Sequence, residues 1–256
     1  LTSANLSNAN LRNTLLVDVN LTNAILTGAD LTNAVLTGAI LTNVNLENVV
    51  LTNTILNCVS NPVCVSAGNE LSGKDLTGKK LAGIDLSGMN LTGTILTGAD
   101  LSNANLTGVD LSGKDLTGTI LVGVDLSDKD LTGTILTGAD LTDANLTGVD
   151  LSGKDLTGTI LVGVDLSDKD LTGTILTGAD LSNANLIDAN LTDASLQNTD
   201  LRYTLLVDAN LSNAVLTGAD LSNAVLTGAI LTGADLENAV LTNAILNCVG
   251  HPVCIS

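Results

Sequence analysis

A leucine recurs at every fifth position of the chain. Counting from Leu1, leucine occupies each such position up to Leu56 and again from Leu71 to Leu246, which places 48 leucines in one register. A period of five matches neither the 3.6 residues of a helical turn nor the two-residue alternation of a plain strand. Repeats of this regularity indicate a solenoid, in which each repeat packs only against its neighbours.

The residue two places after each leucine predicts where the chain turns. Gly, Asn or Asp fills this position in 44 of the 48 repeats, and 23 of the 25 glycines lie there. These residue types tolerate a positive φ, which the third residue of a type II turn requires. The pattern therefore predicts a corner every five residues. Four repeats carry another residue at this position: Ser3, Cys58, Tyr203 and Cys248.

Short extended segments between the corners decide which side chains are buried. The leucine and the residue two before it, mostly Ala, Val or Thr, lie on the same side of such a segment. Four corners close a square coil of about 20 residues, and coils stack at the strand spacing of about 4.8 Å. We therefore expect an all-β, parallel β-helix whose core consists of stacked leucines. Each fully buried leucine contributes roughly 1.5–3 kcal/mol before conformational entropy is subtracted.

Repeats such as ADLTN, ANLTG and ADLSN carry a family resemblance. They match the A(D/N)Lxx consensus, and the chain resembles the pentapeptide-repeat proteins, in particular their exported or lumenal cyanobacterial-type members. The resemblance covers the chain except for residues 57–70 and 247–256. It implies a right-handed quadrilateral β-helix, and the handedness comes from the resemblance alone.

Two cysteine-containing segments interrupt the repeat. Residues 12–64 and 202–254 are similar sequences offset by 190, and both end in NCVxxPVC. We expect a short solenoid at residues 1–64 that ends in a cysteine loop, a linker at 65–70, and a longer solenoid of about nine coils at 71–256 that also ends in a cysteine loop. Because the separation of Leu56 and Leu71 is still a multiple of five, one continuous solenoid with a distorted coil is the alternative.

All four cysteines lie in these segments, as the pairs Cys58/Cys64 and Cys248/Cys254. A disulfide within each loop, free buried thiols and a metal site are the three alternatives. A metal site needs further ligands, and Asn61 stands where the second loop has His251. A disulfide would contribute roughly 2 kcal/mol and cover the open edge of the last coil. We favour disulfides, and hence an exported, oxidising compartment such as the periplasm, thylakoid lumen or extracellular space, with the signal segment outside this sequence.

Two outward-facing columns are candidate interaction surfaces. One is a row of carboxylates that recurs once in every four repeats, Asp110, Asp130, Asp150 and Asp170. Mutual repulsion in such a row is expected to raise the pKa of its members, and the row could bind divalent cations weakly, although it lacks the mixed cage of a dedicated calcium site. The other is a row of threonines, Thr97, Thr117, Thr137 and Thr157. Both rows also fit an ordinary solvated surface.

Six lysines occupy the inward position two before the leucine, where the family places a small residue: Lys74, Lys79, Lys114, Lys129, Lys154 and Lys169. An unpaired ammonium inside the core would be very costly. We expect their stems to pack inside while their heads reach outward at a corner, toward carboxylates.

Neither catalytic residues nor a cofactor-binding motif is predicted. The single histidine, His251, lies in a terminal loop, and no nucleophile stands near a base. The net charge of −18 argues against binding to nucleic acid or to an anionic membrane, and no apolar run is long enough for membrane insertion. We therefore expect a non-catalytic structural or protein-interaction scaffold with an unknown protein partner.

Two alternative functions fit parts of the sequence. Resemblance to gyrase-protecting pentapeptide proteins implies an acidic DNA mimic that binds a topoisomerase such as gyrase, and the net charge of −18 suits this role. The absence of phenylalanine and the cysteine loop at the C-terminus depart from that group. Ice binding through the threonine and serine rows is the second alternative.

Overall fold

A computed structural model describes residues 1–51, 54, 56, 58, 71–84 and 86–254. The chain divides into two compact units, Leu1–Asp125 with Thr132–Thr134, and Leu126–Leu131 with Ile135–Ser256. The same five-residue pattern of turn and bridge repeats within each unit. Within the described ranges there is no helix, and hence none that is long and apolar enough to cross a bilayer.

The predicted corners are present in both units. Across the repeats the carbonyl oxygen of the leucine accepts a hydrogen bond from the N–H three residues later, as in Leu21 with Ala24 at 2.8 Å and Leu181 with Ala184 at 2.9 Å. The third residue of the turn has a positive φ in every repeat from Ser3 to Asn48 and from Gly73 to Asn243. The prediction that Gly, Asn and Asp mark the corners is therefore confirmed.

Successive coils pair through one residue per side. Parallel bridges join residues 20 apart, such as Asn5 with Ile25 in the first unit and Asp155 with Ile175 in the second. In the described part of the chain up to Ile245, each strand is a single bridge residue, the one that precedes a leucine. A spacing of 20 is four repeats, so the predicted four-sided coil is confirmed.

The core consists of the leucines and of the small residues two places before them. Leu21 and Leu231 are fully buried, and Ala24 is only 1% exposed. Threonine can replace alanine at the inward position because its hydroxyl finds an acceptor: Thr174 Oγ1 donates to the carbonyl oxygen of Leu151 at 3.0 Å, one coil back. Among the described residues no buried side-chain nitrogen or oxygen lacks a hydrogen-bond partner.

Of the exceptional corner residues, Ser3 and Tyr203 keep the corner conformation, whereas Cys248 does not. Ser3 has a φ of 57°, and Tyr203 has a φ of 60° with its side chain 56% exposed. A bulky residue with positive φ is uncommon, and the side chain of Tyr203 points into solvent. Cys58 and Cys248 are instead buried, and Cys248 does not have the positive φ of the other corners. The five-residue register ends where cysteine replaces the corner residue.

Residues on either side of the first cysteine segment stack on each other within the first unit. The N–H of Asn48 donates to the carbonyl oxygen of Ala82 at 2.8 Å, whereas the same bond elsewhere joins residues 19 apart, as in Asn23 with Thr42. Asn48 and Ala82 are thus 15 residues further apart in sequence than the pairs of other coils, and 15 is also the separation of Leu56 and Leu71. This stacking fits the continuous alternative. The predicted linker at 65–70 lies outside the described residues.

Lys169 shows how an inward lysine is accommodated. Its Nζ donates to the carbonyl oxygen of Val149 at 3.0 Å in a partly buried position. In other coils the carbonyl at this position accepts the N–H of the bridge residue on the next coil, as Thr159 does from Asp180. Hydrogen bonds from Ser152 and Ser167 lower the pKa of Asp150 and Asp165, and the charge of Lys169 adds a smaller lowering to both. The hydrogen bond of Lys169 itself, however, goes to the backbone.

Candidate interaction surface

Aspartates that directly precede a leucine are held by the corner that follows them. Asp150 Oδ1 accepts hydrogen bonds from the N–H of Ser152 at 3.0 Å and from its Oγ at 2.7 Å. Asp110 Oδ1 accepts the equivalent pair from Ser112 at 2.9 and 2.7 Å. Asp and Asn favour this local turn because their short side chains reach the backbone two residues on. The carboxylates are therefore fixed in position before any partner binds.

The same hydrogen bonds favour the ionised form of these side chains. The hydroxyl and the N–H of Ser152 lower the pKa of Asp150, and Lys154 and Lys169 lower it further. Thr172 lowers the pKa of Asp170 in the same way, against a smaller opposing effect from Asp150. The prediction of a raised pKa is therefore wrong for Asp150 and Asp170, although repulsion from Asp150 acts on Asp170 in the predicted direction. Direct hydrogen bonds outweigh repulsion between carboxylates that water screens.

The predicted interaction residues are divided between the two units. The first unit contains Asp110, Thr97 and Thr117, and the second contains Asp130, Asp150, Asp170, Thr137 and Thr157. All four aspartates are exposed, and all four threonines are partly exposed. Within the second unit, Asp150 and Asp170 lie close enough for their charges to interact.

The threonine row does not present a uniform array of hydroxyls. Thr117 Oγ1 donates to Asp115 Oδ1 at 2.6 Å, and Thr157 Oγ1 donates to Asp155 Oδ1 at 2.6 Å. In alternate coils an exposed isoleucine stands in place of this aspartate, as in Ile135, which is 48% exposed. Alternating carboxylate and isoleucine side chains disfavour the flat, uniform surface that ice binding needs.

A column of the second unit was missed by the sequence analysis. Parallel bridges connect Asp140 to Ile160, Ile160 to Asp180, and Asp180 to Asp200. Ile160 is 37% exposed, and it lies between two carboxylates. The longer repeat that contains LTGTILTGAD could have revealed this column, because it alternates Asp and Ile at one outward position of successive coils. We call Asp140, Ile160 and Asp180 the Asp–Ile–Asp column.

Two arginines show how a cation docks on the turn-held carboxylates. Asp30 Oδ1 accepts the N–H of Thr32 at 2.9 Å, while its Oδ2 accepts Arg12 Nη1 at 2.9 Å. In Asp200, Oδ1 likewise accepts the N–H of Arg202 at 3.0 Å, and both carboxylate oxygens accept hydrogen bonds from the guanidinium of the same residue. A carboxylate that holds the turn can therefore still bind a cation. Both arginine side chains are about half exposed.

The C-terminal cysteine loop contains a disulfide. Cys248 is bonded to Cys254, with Cα atoms 4.9 Å apart, and the N–H of Cys254 donates to the carbonyl oxygen of His251 at 3.0 Å. The disulfide predicted for this loop is therefore confirmed. In the other loop Cys58 is buried, and Cys64 lies outside the described residues. Among the described side chains, no group of His, Cys, Asp or Glu is arranged to hold a metal ion.

The last coil closes with a change of register beside this disulfide. Its bridge joins Ile230 to Val249, a pair one residue closer in sequence than the bridged pairs of the preceding coils. The N–H of Val249 still donates to the carbonyl oxygen of Ala229 at 2.9 Å. The last coil is therefore one residue shorter, at the point where cysteine replaces the corner residue.

Comparison with known proteins agrees with this repeat architecture. The family model for pentapeptide repeats matches in eight copies, at residues 1–38, 29–59, 70–108, 99–138, 110–148, 139–178, 165–202 and 204–243. No curated protein matches the chain.

Several solved structures are similar to the chain. HetL, a pentapeptide repeat protein involved in heterocyst differentiation regulation from the cyanobacterium Nostoc sp. strain PCC 7120, is 29% identical over 97% of this chain and 94% of its own, with a TM-score of 0.32. A structure of QnrB1, a plasmid-mediated fluoroquinolone resistance protein, is 18% identical over 88% of this chain and 90% of its own, with a TM-score of 0.31.

A pentapeptide repeat protein of the Arabidopsis thaliana thylakoid lumen is 26% identical over 60% of this chain and 68% of its own, with a TM-score of 0.16. The family model covers nearly all of the leucine repeats, together with the corners and bridges on which they depend. The chain therefore belongs to the pentapeptide-repeat family and has its right-handed quadrilateral β-helix fold.

Proposed function

We propose that this chain is a non-catalytic scaffold that binds a basic protein partner through its turn-held carboxylates. The observation that carries the proposal is the pair of hydrogen bonds from Ser152 to Asp150, which fixes an exposed carboxylate and keeps it ionised. Equivalent turns recur along the repeats, so the charge is both dense and ordered. Order of this kind reduces the entropy that binding would otherwise cost.

The overall charge supports the same function. A net charge of −18 raises the association rate of basic partners, and it repels nucleic acid and anionic membranes. The proposed surface comprises the members of the two predicted rows that lie in the second unit, and Asp150 and Asp170 are its central pair. Divalent cations would act there as weakly held counterions, because carboxylates alone do not form a dedicated cage.

We place this function in an exported, oxidising compartment. The disulfide between Cys248 and Cys254 supports this location, since reduced thiols prevail in the cytosol of most organisms.

Binding to a small basic protein tests the proposal. Cytochrome c serves as the probe, and its affinity is measured by fluorescence anisotropy against salt concentration. We expect saturable binding that weakens with salt, and a clear loss of affinity in the double variant Asp150→Asn with Asp170→Asn. The matched control is Asp188→Asn with Asp208→Asn, which removes the same charge at two corners where asparagine is tolerated. Equal losses in both variants would show that net charge alone attracts the probe and would refute the proposed surface.

The DNA-mimic alternative makes a different prediction. Its support is the same net charge and the repeated exposed carboxylates. If the chain binds gyrase in place of DNA, micromolar protein inhibits supercoiling of relaxed plasmid. Our proposal predicts no inhibition at concentrations that saturate cytochrome c, and inhibition in that range would replace it with the alternative.

A further inference from the structure

We propose that the Asp–Ile–Asp column docks a basic, amphipathic α-helix of a partner protein. Asp140 and Asp180 would bind cationic side chains seven residues apart on that helix, and Ile160 would pack against the apolar residues between them. The inference rests on the proposed function, because it names the kind of partner that the scaffold binds.

The bridges set the spacing of the column. Asp140 pairs with Ile160, and Ile160 pairs with Asp180, so each step is one coil of about 4.8 Å. The two carboxylates are therefore about 10 Å apart. Residues seven apart on an α-helix are separated by about 10.5 Å, and the residues midway between them lie on the same face. A helix lying along the column thus matches both carboxylates to within about 1 Å.

An extended strand does not match this spacing. Side chains on one face of a strand recur about every 6.7 Å, so none of them falls opposite the second carboxylate. The second cation of a strand would miss Asp180 by about 3 Å. The geometry of the column therefore favours a helical partner over a strand.

The chemistry of the column favours a cation at each end. Asp140 Oδ1 accepts the N–H and the Oγ1 of Thr142 at 3.0 and 2.6 Å, and Asp180 Oδ1 accepts the N–H of Ser182 at 2.9 Å. Asp200 makes the same turn bond through Oδ1 while both of its carboxylate oxygens bind the guanidinium of Arg202. Asp200 follows Asp180 in the same column, so Arg202 shows within this chain how a guanidinium binds there.

Neighbouring carboxylates also affect the pKa of Arg202. Its pKa is raised first by the hydrogen bond to Asp200 and by the charge of that residue, with further contributions from Asp220 and Asp180. The field of Asp180 therefore reaches a guanidinium one coil away. Because Arg202 already neutralises Asp200, the Asp–Ile–Asp column ends at Asp180.

Two synthetic 21-residue helices test the inference. The matched helix carries arginine at every seventh position, with leucine three and four residues after each arginine. The permuted helix has the same composition with the arginines moved out of that register, and circular dichroism confirms that both are helical. Titration calorimetry with the full chain measures the two affinities. We expect the matched helix to bind about tenfold more tightly, and equal affinities would overturn the inference.

Variants of the chain locate the site. Asp140→Asn with Asp180→Asn should weaken the matched helix about fivefold, which is the scale of two exposed charge pairs. Ile160→Asn should also weaken it, and asparagine occurs naturally at bridge positions such as Asn185. Neither variant should alter the affinity of the permuted helix. Asp188→Asn with Asp208→Asn is the charge-matched control, and an equal loss in that control would contradict the proposed site.

Failure of this inference can be told apart from failure of the proposed function. If the Asp150/Asp170 variant still binds cytochrome c more weakly than its control does, while the two helices bind equally, the proposed scaffold function is retained and the helical partner is wrong. If neither the helices nor cytochrome c binds at low salt, both proposals are wrong.

Discussion

Lys169 donates its Nζ to the carbonyl oxygen of Val149, at a position where other coils place a backbone N–H. A charged side chain thus occupies a hydrogen-bond position in the wall of the β-helix. The consensus residue at position 169 is small and apolar, whereas Lys169 donates a hydrogen bond to a backbone acceptor in a partly buried place. The energetic cost of this arrangement can be measured.

Replacing Lys169 with alanine should stabilise the second unit. Lys169→Ala removes a partly buried charge and restores the small inward residue, so we expect a gain of about 0.5–2 kcal/mol in the free energy of unfolding. Urea denaturation measures this change. Lys169→Met keeps the stem without the charge and should give a smaller gain. A loss of stability in Lys169→Ala would contradict the idea that the lysine is tolerated rather than required.

Two glycines at corners should respond differently to the same substitution. Gly178 and Gly228 both have a positive φ, at 66° and 75°. A Cβ at Gly178 meets nothing within 4 Å, whereas a Cβ at Gly228 would lie 1.9 Å from Asp208 Oδ1. Gly178→Ala should therefore cost only the conformational strain of about 1–2 kcal/mol.

Gly228→Ala should lower the free energy of unfolding by at least about 1 kcal/mol more than Gly178→Ala, because the Asp208 side chain must also move. Urea denaturation of both variants in parallel gives the difference. Removing the Asp208 side chain by Asp208→Gly should abolish most of that difference. Equal costs at the two glycines would show that contact between stacked corners is not tight.

The disulfide should protect the last coil. Replacing Cys248 and Cys254 with alanine should cost about 2 kcal/mol, as expected for a short closed loop. Hydrogen exchange should reveal where the cost falls. The amide of Val249, bonded to Ala229, should exchange faster, while the amide of Val215, bonded to Ala194, should keep its rate. Unchanged exchange at Val249 would show that the loop does not hold the last coil.

The pH dependence of stability should reflect the turn-held carboxylates. The hydrogen bonds from Ser152 lower the pKa of Asp150 from its ordinary value of 3.8. A folded-state pKa below the unfolded value means that Asp150 contributes stability above pH 3.8 and loses it as the pH falls through the lower, folded-state pKa.

Removing the hydroxyl tests this cause directly. In Ser152→Ala the pKa of Asp150 should rise toward its ordinary value, and carbon-13 NMR titration of the carboxyl group measures it. Ser167→Ala is a matched control, because Ser167 bonds Asp165 in the same manner and should leave Asp150 unchanged. A pKa of Asp150 that does not move in Ser152→Ala would assign the lowering to its lysine neighbours instead.

The sequence predicted the fold because both of its determinants are local. Which residues are buried follows from the leucine register, and where the chain turns follows from residue types that tolerate positive φ. Tyr203 shows the limit of the second rule, since it adopts the corner conformation without belonging to those types. Stacking forces each repeat into the register of its neighbours, so one unfavourable residue does not change the coil.

The candidate surface was less predictable because its properties depend on interactions between side chains. The positions of Asp150 and Asp170 followed from the spacing of one coil, but their charge state depends on hydrogen bonds from side chains two residues later. The predicted repulsion considered only the neighbours one coil away. The Asp–Ile–Asp column escaped notice because its significance lies in the alternation of residue types between coils rather than in one repeated residue.

Couplings across hydrogen bonds test the central claim most directly. A long-range HNCO experiment on the labelled chain detects which carbonyl accepts each amide. The square coil predicts that the amide of Leu181 couples to the carbonyl of Asp200, and that of Leu206 to the carbonyl of Val225, each on the next coil. Couplings to carbonyls four residues earlier, or to residues at other separations, would contradict the four-sided β-helix and every inference drawn from its columns.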